Sequence, residues 1–296
     1  VPRQYLSTSA QRDQPVIDFL SRQVLNPFFG MPEFNGTGLS GRNVGVSQLL
    51  RPYPQFGDIT VAFPAGYSYY HSMQVSVEKR MSSGFTVQSA WTWSKFMDGA
   101  GYLNETDSRT EKVVSDQDYT HRFVISGIYE LPFGKGRKWF NAMPAVAEHA
   151  FGGWQLQAWY EGQSGDVLGF GNAIFNGNLA DIELPLSQRT ELRWFNTDAG
   201  FNRNNTQQLV NNIRTLPSRF NGVRADGINN LNLSAFKRVR IKERAALEFS
   251  FETFNTLNHV QFGAPNTAPV NAAFGSITAE KGHGQRQLTV GLKLKY

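Results

Sequence analysis

Three observations predict an all-β chain, an antiparallel up-and-down sheet of about seven long strands that crosses a membrane as a segment of a β-barrel. The first is the end of the chain, QRQLTVGLKLKY at 285–296. Here Leu288, Val290, Leu292, Leu294 and Tyr296 alternate with Thr289, Gly291, Lys293 and Lys295. Period-two alternation puts one set on each face of a strand. The second is low hydropathy without a long apolar run. Hydrophobic residues are 40%, mean hydropathy is −0.38, and nothing approaches the roughly 18–20 residues a membrane helix needs. A barrel escapes that requirement because only alternate residues meet lipid. The third is that connections between the predicted strands alternate long and short, as extracellular loops and periplasmic turns do.

In chain order, residues 1–69 are punctuated by Gly, Pro and Asn and carry no strand of membrane length. They read as one long extracellular loop with a short strand around 58–63. A small N-terminal globular domain is the alternative, but no convincing amphipathic element supports it. Alternation begins at Tyr70 and runs through Arg80, a tight turn follows at 81–84, and Phe85, Val87, Ser89, Trp91 and Trp93 line one face of the next strand. After an acidic loop at 96–120 comes a strand at 121–131. A connection at 132–153, with a helical turn near Ala145, leads to a strand at 154–168. A loop of nearly sixty residues follows, with a short helix expected at 207–214; loops this long are usually functional. The strands at 228–241 and 245–256 flank a turn at 242–244, and a loop at 259–284 leads into the terminal strand.

The alternation assigns Val75, Val77, Val87, Trp91, Leu247, Phe249, Leu288, Val290 and Leu292 to lipid, and Arg122, Glu130, Arg238, Glu248 and Glu252 to the lumen. Keeping like faces together sets the hairpin registers. Arg238 is expected opposite Glu248, Val239 opposite Leu247, Val77 opposite Val87 and Met73 opposite Trp91. An odd number of strands, below the eight or so of the smallest single-chain barrels, is expected to leave the sheet open.

Lys and Arg number 29 against 24 Asp and Glu, for a net charge of +5. The basic groups sit near predicted turns and not on a face with interleaved aromatics, so nucleic acid is not an expected partner. The chain has no cysteine, which excludes disulfides, thiolate metal sites and cysteine nucleophiles. His71, His121, His149, His259 and His283 show no metal-ligand spacing. Glu105, Asp107, Glu111, Asp116 and Asp118 could offer oxygens to Ca²⁺, but the EF-hand pattern is absent and a solvated loop is the plainer expectation. Gly169-Phe170-Gly171 and Gly134-Lys135-Gly136 complete no phosphate-cradling motif. No catalytic set can be assembled, no metal or cofactor site is expected, and the chain does not read as an enzyme. For the lumen-assigned charges, cross-strand pairing and a solute path are both open.

Thr289, Gly291, Leu294 and the terminal Tyr296 resemble the C-terminal assembly signal of bacterial outer-membrane β-barrels, which implies the outer membrane as location and the barrel assembly machinery as partner. A longer run of motifs resembles the C-terminal barrel of TonB-dependent receptors of the Oar-like type. It comprises Ser68-Tyr69-Tyr70-His71-Ser72-Met73-Gln74-Val75, then Glu78-Lys79-Arg80, Gly84-Phe85-Thr86-Val87 and Trp91-Thr92-Trp93-Ser94-Lys95. It continues through His121-Arg122-Phe123-Val124, Glu130-Leu131-Pro132-Phe133-Gly134-Lys135-Gly136, Gly152-Gly153-Trp154-Gln155, Phe254-Asn255, Leu257-Asn258-His259 and Gln261-Phe262-Gly263. The resemblance implies a barrel of about 22 strands around a plug, preceded by a carboxypeptidase-regulatory-like domain. It further implies energised uptake of a bulky solute such as a siderophore, oligosaccharide or peptide, with outer-membrane lipid and lipopolysaccharide around the wall. The TonB complex would act through a plug that these residues do not contain, so the chain reads as the last third of such a receptor. A non-transporting barrel with a structural or adhesive role is the alternative, and a soluble β-sandwich a third.

Overall fold

The structure, a computed structural model, describes residues 1–62, 64–242, 245–282 and 284–296. Its strands in chain order are β1 (Gln23–Leu25), β2 (Asn43–Gly45), β3 (Tyr67–Ser82), β4 (Phe85–Gly99), β5 (Val113–Val114), β6 (His121–Glu130), β7 (Trp154–Gln163), β8 (Val167–Leu168), β9 (Phe220–Arg224), β10 (Ile228–Lys242), β11 (Ala245–Phe254) and β12 (Gln287–Lys295). The described residues include three α-helices, α1 (Gln14–Ser21) ahead of β1, and α2 (Val46–Leu49) and α3 (Ala145–Phe151) in connections between strands. Among the described residues no helix is long and apolar enough to cross a membrane.

Seven long strands pair antiparallel in the order β12-β11-β10-β7-β6-β4-β3, which is an up-and-down meander. Its outer edges are β3 and β12; no ladder joins them among the described residues, and the sheet is open. The strands of this wall are long because the alternation runs unbroken through each of them, leaving no Pro to remove a ladder donor.

The last hairpin has the expected register, with Arg238 opposite Glu248 and Val239 opposite Leu247. A bulge lies between Arg240 and Lys242, and of the expected turn, Glu243 and Arg244 fall outside the described residues. Arg238 Nε lies 3.7 Å from Glu248 Oε1, and Lys295 Nζ approaches the same oxygen at 2.7 Å. In a wet, largely exposed setting a double-mutant cycle on Arg238 and Glu248 is expected to give a coupling of about 0.2–1 kcal/mol. A larger value would mean that water is excluded from this face.

The first hairpin differs from expectation by two residues. Val77 pairs with Ser89 and Val75 with Trp91, where Val87 and Met73 were expected. The strands run closer to the turn, so that Ser82 faces Phe85 and only Ser83 and Gly84 form the loop. Both of those residues have positive φ, 54° and 77°, the left-handed pair a two-residue hairpin turn requires. A bulge between Lys79 and Ser82 absorbs the extra residue. A shift of two preserves parity, so residues expected on one face still share a face.

Other expectations are corrected. The fourth strand stops at Gln163, not at Leu168, because the chain turns at Gly165, where a Cβ would stand 1.9 Å from the Ala225 carbonyl oxygen. Val167 and Leu168 then pair with β9 in a separate ribbon. The helix expected at 207–214 is replaced by one 3₁₀ turn at Asn205–Gln207. Beyond it the backbone bonds the N-terminal segment, with Ser7 N–H donating to Asn211 O and Ile213 N–H to Ser7 O. Residues 58–62 form no strand, and Phe63 lies outside the described residues. The N-terminal segment does contain an amphipathic element: α1 is capped by Asp13, which accepts from Val16 N–H, and buries Leu20 completely.

The packed core is not in the wall. Among the described residues, Ala246 alone of the buried hydrophobics belongs to a long strand. The main cluster joins Leu168, Phe170, Ile182, Trp194, Phe195 and Phe201 from the loop after β7 with Phe274 and Ile277 from the loop after β11. Phe170 sits at its centre, with ring centroids 5.0 Å from Phe195, 4.7 Å from Phe201 and 5.2 Å from Phe220. The two longest loops thus fold into one cap at one end of the sheet.

Candidate functional site

Following the ladders across the sheet sorts every strand residue to one of two faces. One ladder row reads Phe85, Tyr129, Leu156, Ala235, Phe251 and Val290, and the next carries Trp154, Lys237, Phe249 and Leu292. All nine residues assigned to lipid, Val75, Val77, Val87, Trp91, Leu247, Phe249, Leu288, Val290 and Leu292, share this face by register, and none is buried. Leu292 is 70% exposed and Val290 65%. An apolar face uncovered by protein needs an apolar solvent.

The opposite face carries Gln88, Ser126, Trp159 and Asn232 in one ladder row and Thr86, Ile128, Gln157, Ser234, Glu252 and Thr289 in the next. A depression of about 370 Å³ lies here, lined among others by Gln88, Ser126, Gln157, Trp159, Asn232 and Ser234. Its polar groups are uncharged hydroxyls and amides, able to donate and accept, beside one indole and the side chain of Ile128. Such a surface holds water or a hydroxyl-rich solute without binding either tightly.

The lumen-assigned charges all lie on this polar face. Arg122 meets Glu161 at 3.0 Å, Glu130 meets Arg137 at 2.8 Å, and Glu248 has the two partners already described. Glu252 stands between Ser234 and Thr289. Of the terminal signal, Thr289 and Gly291 fall on the polar face and Leu294 on the apolar one, with Tyr296 fully exposed after the last ladder pair.

The acidic loop is a docking surface and not a freely solvated segment. Among the described residues no cluster of His, Asp and Glu could hold a metal ion. Instead the completely buried Asp118 accepts from Phe96 N–H and from Arg224 Nη2, both at 2.5 Å. Arg224 also donates to the Asp118 and Gly165 carbonyls. Arg219 bonds Asp98 at 2.8 Å, and Ser218 N–H donates to Glu111. Asn104 clasps Arg214 through both backbone groups, and Asp107 takes Arg3 at 2.7 Å. The loop after β4, the loop after β7 and the N-terminal segment are therefore stitched into the same cap. The Asn104 amide, and after it the Arg3 guanidinium, hold the Asp107 carboxyl below the usual range. With the folded value lowered, this link stabilises the cap above the ordinary carboxylate pKa and is lost as pH falls through the lowered one.

Two glycine-rich stretches have structural explanations. Gly169 presses so closely on the chain that a Cβ would meet the Ser218 carbonyl oxygen at 1.7 Å. In the other, Lys135 N–H donates to the protein's own Glu148 carboxylate at 2.9 Å. The described histidines are dispersed: His121 stacks on Trp91, His259 bonds Asn255 and His149 is exposed on α3, while His283 lies outside the described residues.

Sequence reasoning missed Asp118 with Arg224, which are 106 residues apart, and Asn255. Asn255 is buried at φ 48° and binds both backbone groups of His259. An Asn next to a strand end was the available signal, since Asn tolerates left-handed backbone.

A family model described as an outer membrane beta barrel domain matches residues 11–289. No curated protein and no solved structure matches the chain.

Proposed function

Because the chain belongs to the outer membrane beta barrel domain family, and so resides in the bacterial outer membrane, we propose that it is barrel wall and cap of a TonB-dependent, Oar-like transporter for a bulky solute. The observation that carries this reading is the open two-faced sheet capped at one end. Bare edges are not tolerated in lipid, so β3 and β12 require strands beyond this sheet, which fits a wall of about 22 strands. Residues 1–296 act as one domain, with 1–69 on the outer side. The mechanism is capture of solute by the cap, plug rearrangement driven through the TonB complex, and passage along the hydroxyl and amide face. No bond is made or broken, so the role is not enzymatic. Lipid and lipopolysaccharide surround the apolar face, and Thr289, Gly291, Leu294 and Tyr296 address the barrel assembly machinery.

A structural or adhesive role has one observation in its favour. The loops are fused into a single packed unit, which suits display as well as capture. Uptake of labelled siderophores, oligosaccharides and peptides with and without proton-motive force separates the two. Energised uptake that depends on this protein is expected; surface binding that ignores the energy source would favour adhesion.

The face assignment has its own test. Val290→Arg is expected to cost the assembled barrel about 2–4 kcal/mol of folding stability in lipid bilayers, and Ser250→Arg, on the other face of the neighbouring strand, far less. Urea titration of the bilayer-inserted protein reads the difference, and equal costs would reverse the lipid assignment.

A further inference from the structure

The connection between β6 and β7, residues 131–153, far exceeds the two-residue turn of the first hairpin. Its position relative to the wall is given by two bonds. Trp154 and Lys237 are ladder partners on the apolar face, and the Trp154 ring meets Phe249 edge-on at 5.8 Å. Trp154 Nε1 donates to the Ala150 carbonyl at 2.9 Å, and Lys237 Nζ donates to the Gly152 carbonyl. The end of α3 therefore overhangs the apolar face at the turn end of the sheet.

The overhang exposes apolar groups. Val146 is 82% exposed, Phe140 66% and Phe151 64%, with Trp139 at 49%. Phe140 has φ 62°, a left-handed backbone uncommon for a bulky residue, and its ring stays largely uncovered. Lys135 and Lys138 are exposed in the same connection, and Lys138 Nζ lies 5.6 Å from the Trp139 ring centroid. The acidic group of α3, Glu148, is turned inward onto Lys135 N–H and does not oppose those cations.

We infer that residues 131–153 are an interfacial anchor, seated in the headgroup region of the leaflet at the turn end, with Trp139, Phe140, Val146 and Phe151 entering the acyl boundary and Lys135 and Lys138 meeting lipid phosphates. Two features select lipid as the occupant: the connection that carries these exposed residues is bonded to the apolar face of the wall through Trp154 and Lys237, and Lys135 and Lys138, its exposed lysines, are basic. An amphipathic element of this kind buries its apolar side about 5–10 Å into the boundary. The inference rests on the lipid assignment of the apolar face, so the test reads both.

Residues 1–296 hold no cysteine, so Val146→Cys and, in a separate variant, Val290→Cys, with any cysteine elsewhere in the protein replaced by serine, each give one site for an environment-sensitive fluorophore. The complete protein in phospholipid vesicles is challenged with iodide in water and with lipids brominated at shallow or deep chain positions. At position 146 a blue-shifted emission, quenching by shallow bromines and weak quenching by iodide are expected; at position 290, quenching by deep bromines. Full iodide quenching at 146 with lipid quenching at 290 overturns the anchor and leaves the wall intact. Loss of lipid quenching at both sites overturns the wall assignment as well. Protection of 146 from both quenchers identifies a protein as the occupant and also overturns the anchor. Lys135→Glu with Lys138→Glu is expected to shrink the blue shift in phosphatidylglycerol vesicles but not in zwitterionic ones; an equal effect in both removes the phosphate contact.

Discussion

Replacing Phe170 with Ala is expected to destabilise the loop cap by about 3–5 kcal/mol while leaving the strands of the wall in place. Phe170 is 4% exposed and contacts rings from three parts of the loop after β7, as well as Phe274 from the loop after β11, at 6.1 Å. Its loss leaves a cavity that these neighbours do not fill, because Phe195 and Phe201 are each already packed against Phe274, at 5.2 and 5.1 Å. Native-state hydrogen exchange provides the reading. Amides in 167–224 and 262–277 should lose protection together, whereas those of β10 and β11 should keep theirs. Loss of protection in all strands at once would show that cap and wall form one cooperative unit.

Asp118→Ala is expected to be as severe, about 3–5 kcal/mol, by a different route. It leaves the Arg224 guanidinium, whose side chain is only 14% exposed, without its carboxylate, and it frees the Phe96 N–H. Asp118→Asn keeps one acceptor oxygen in place of two, so only one of the Phe96 N–H and Arg224 Nη2 donors retains its partner, and it should cost less than the loss of both. The consequence is local. The loop at 100–120 should come away from the cap and become a site of protease cleavage in intact cells, with cleavage in Asn intermediate between wild type and Ala. If the cleavage rates of all three matched, the ion pair would not be what holds this loop.

These two sites bear on how the cap can work. It is a small globular body made from segments far apart in the chain, and on the proposed transport reading a solute would meet a preformed surface and not independent flexible loops. On that reading, opening a path to the polar face requires either movement of the cap as a body or rupture of the Asp118–Arg224 and Asp98–Arg219 links, which tie the loop after β7 to the loop after β4 and to the end of β4 itself.

The sequence by itself determined that seven long strands run through the chain, though not where the fourth one stops, and which residues of each strand share a face. Side-chain alternation along a strand is a local property with a period of two, so Leu247 and Phe249, or Arg238 and Glu248, could be sorted without knowing what lies beside them. The same reasoning placed Arg238 against Glu248, where both strands run up to a short turn. It misplaced Val77 by two residues, because Ser83 and Gly84 alone form the loop and a bulge takes up the remainder; parity survives such a shift and register does not. The cap was decided only by the tertiary structure. Its ring cluster, the Asp118–Arg224 pair and the docking of Arg3 on Asp107 join residues roughly a hundred positions apart that share no period, and a carboxylate in a Gly- and Asn-rich loop reads identically whether it meets water or an arginine from another loop. The overhang of α3 on the apolar face was also a matter of tertiary structure, since it depends on Lys237 and Trp154 meeting across β10 and β7. Periodicity reports which way a side chain points from its own strand; what it meets there is set by chain segments that the local sequence does not encode.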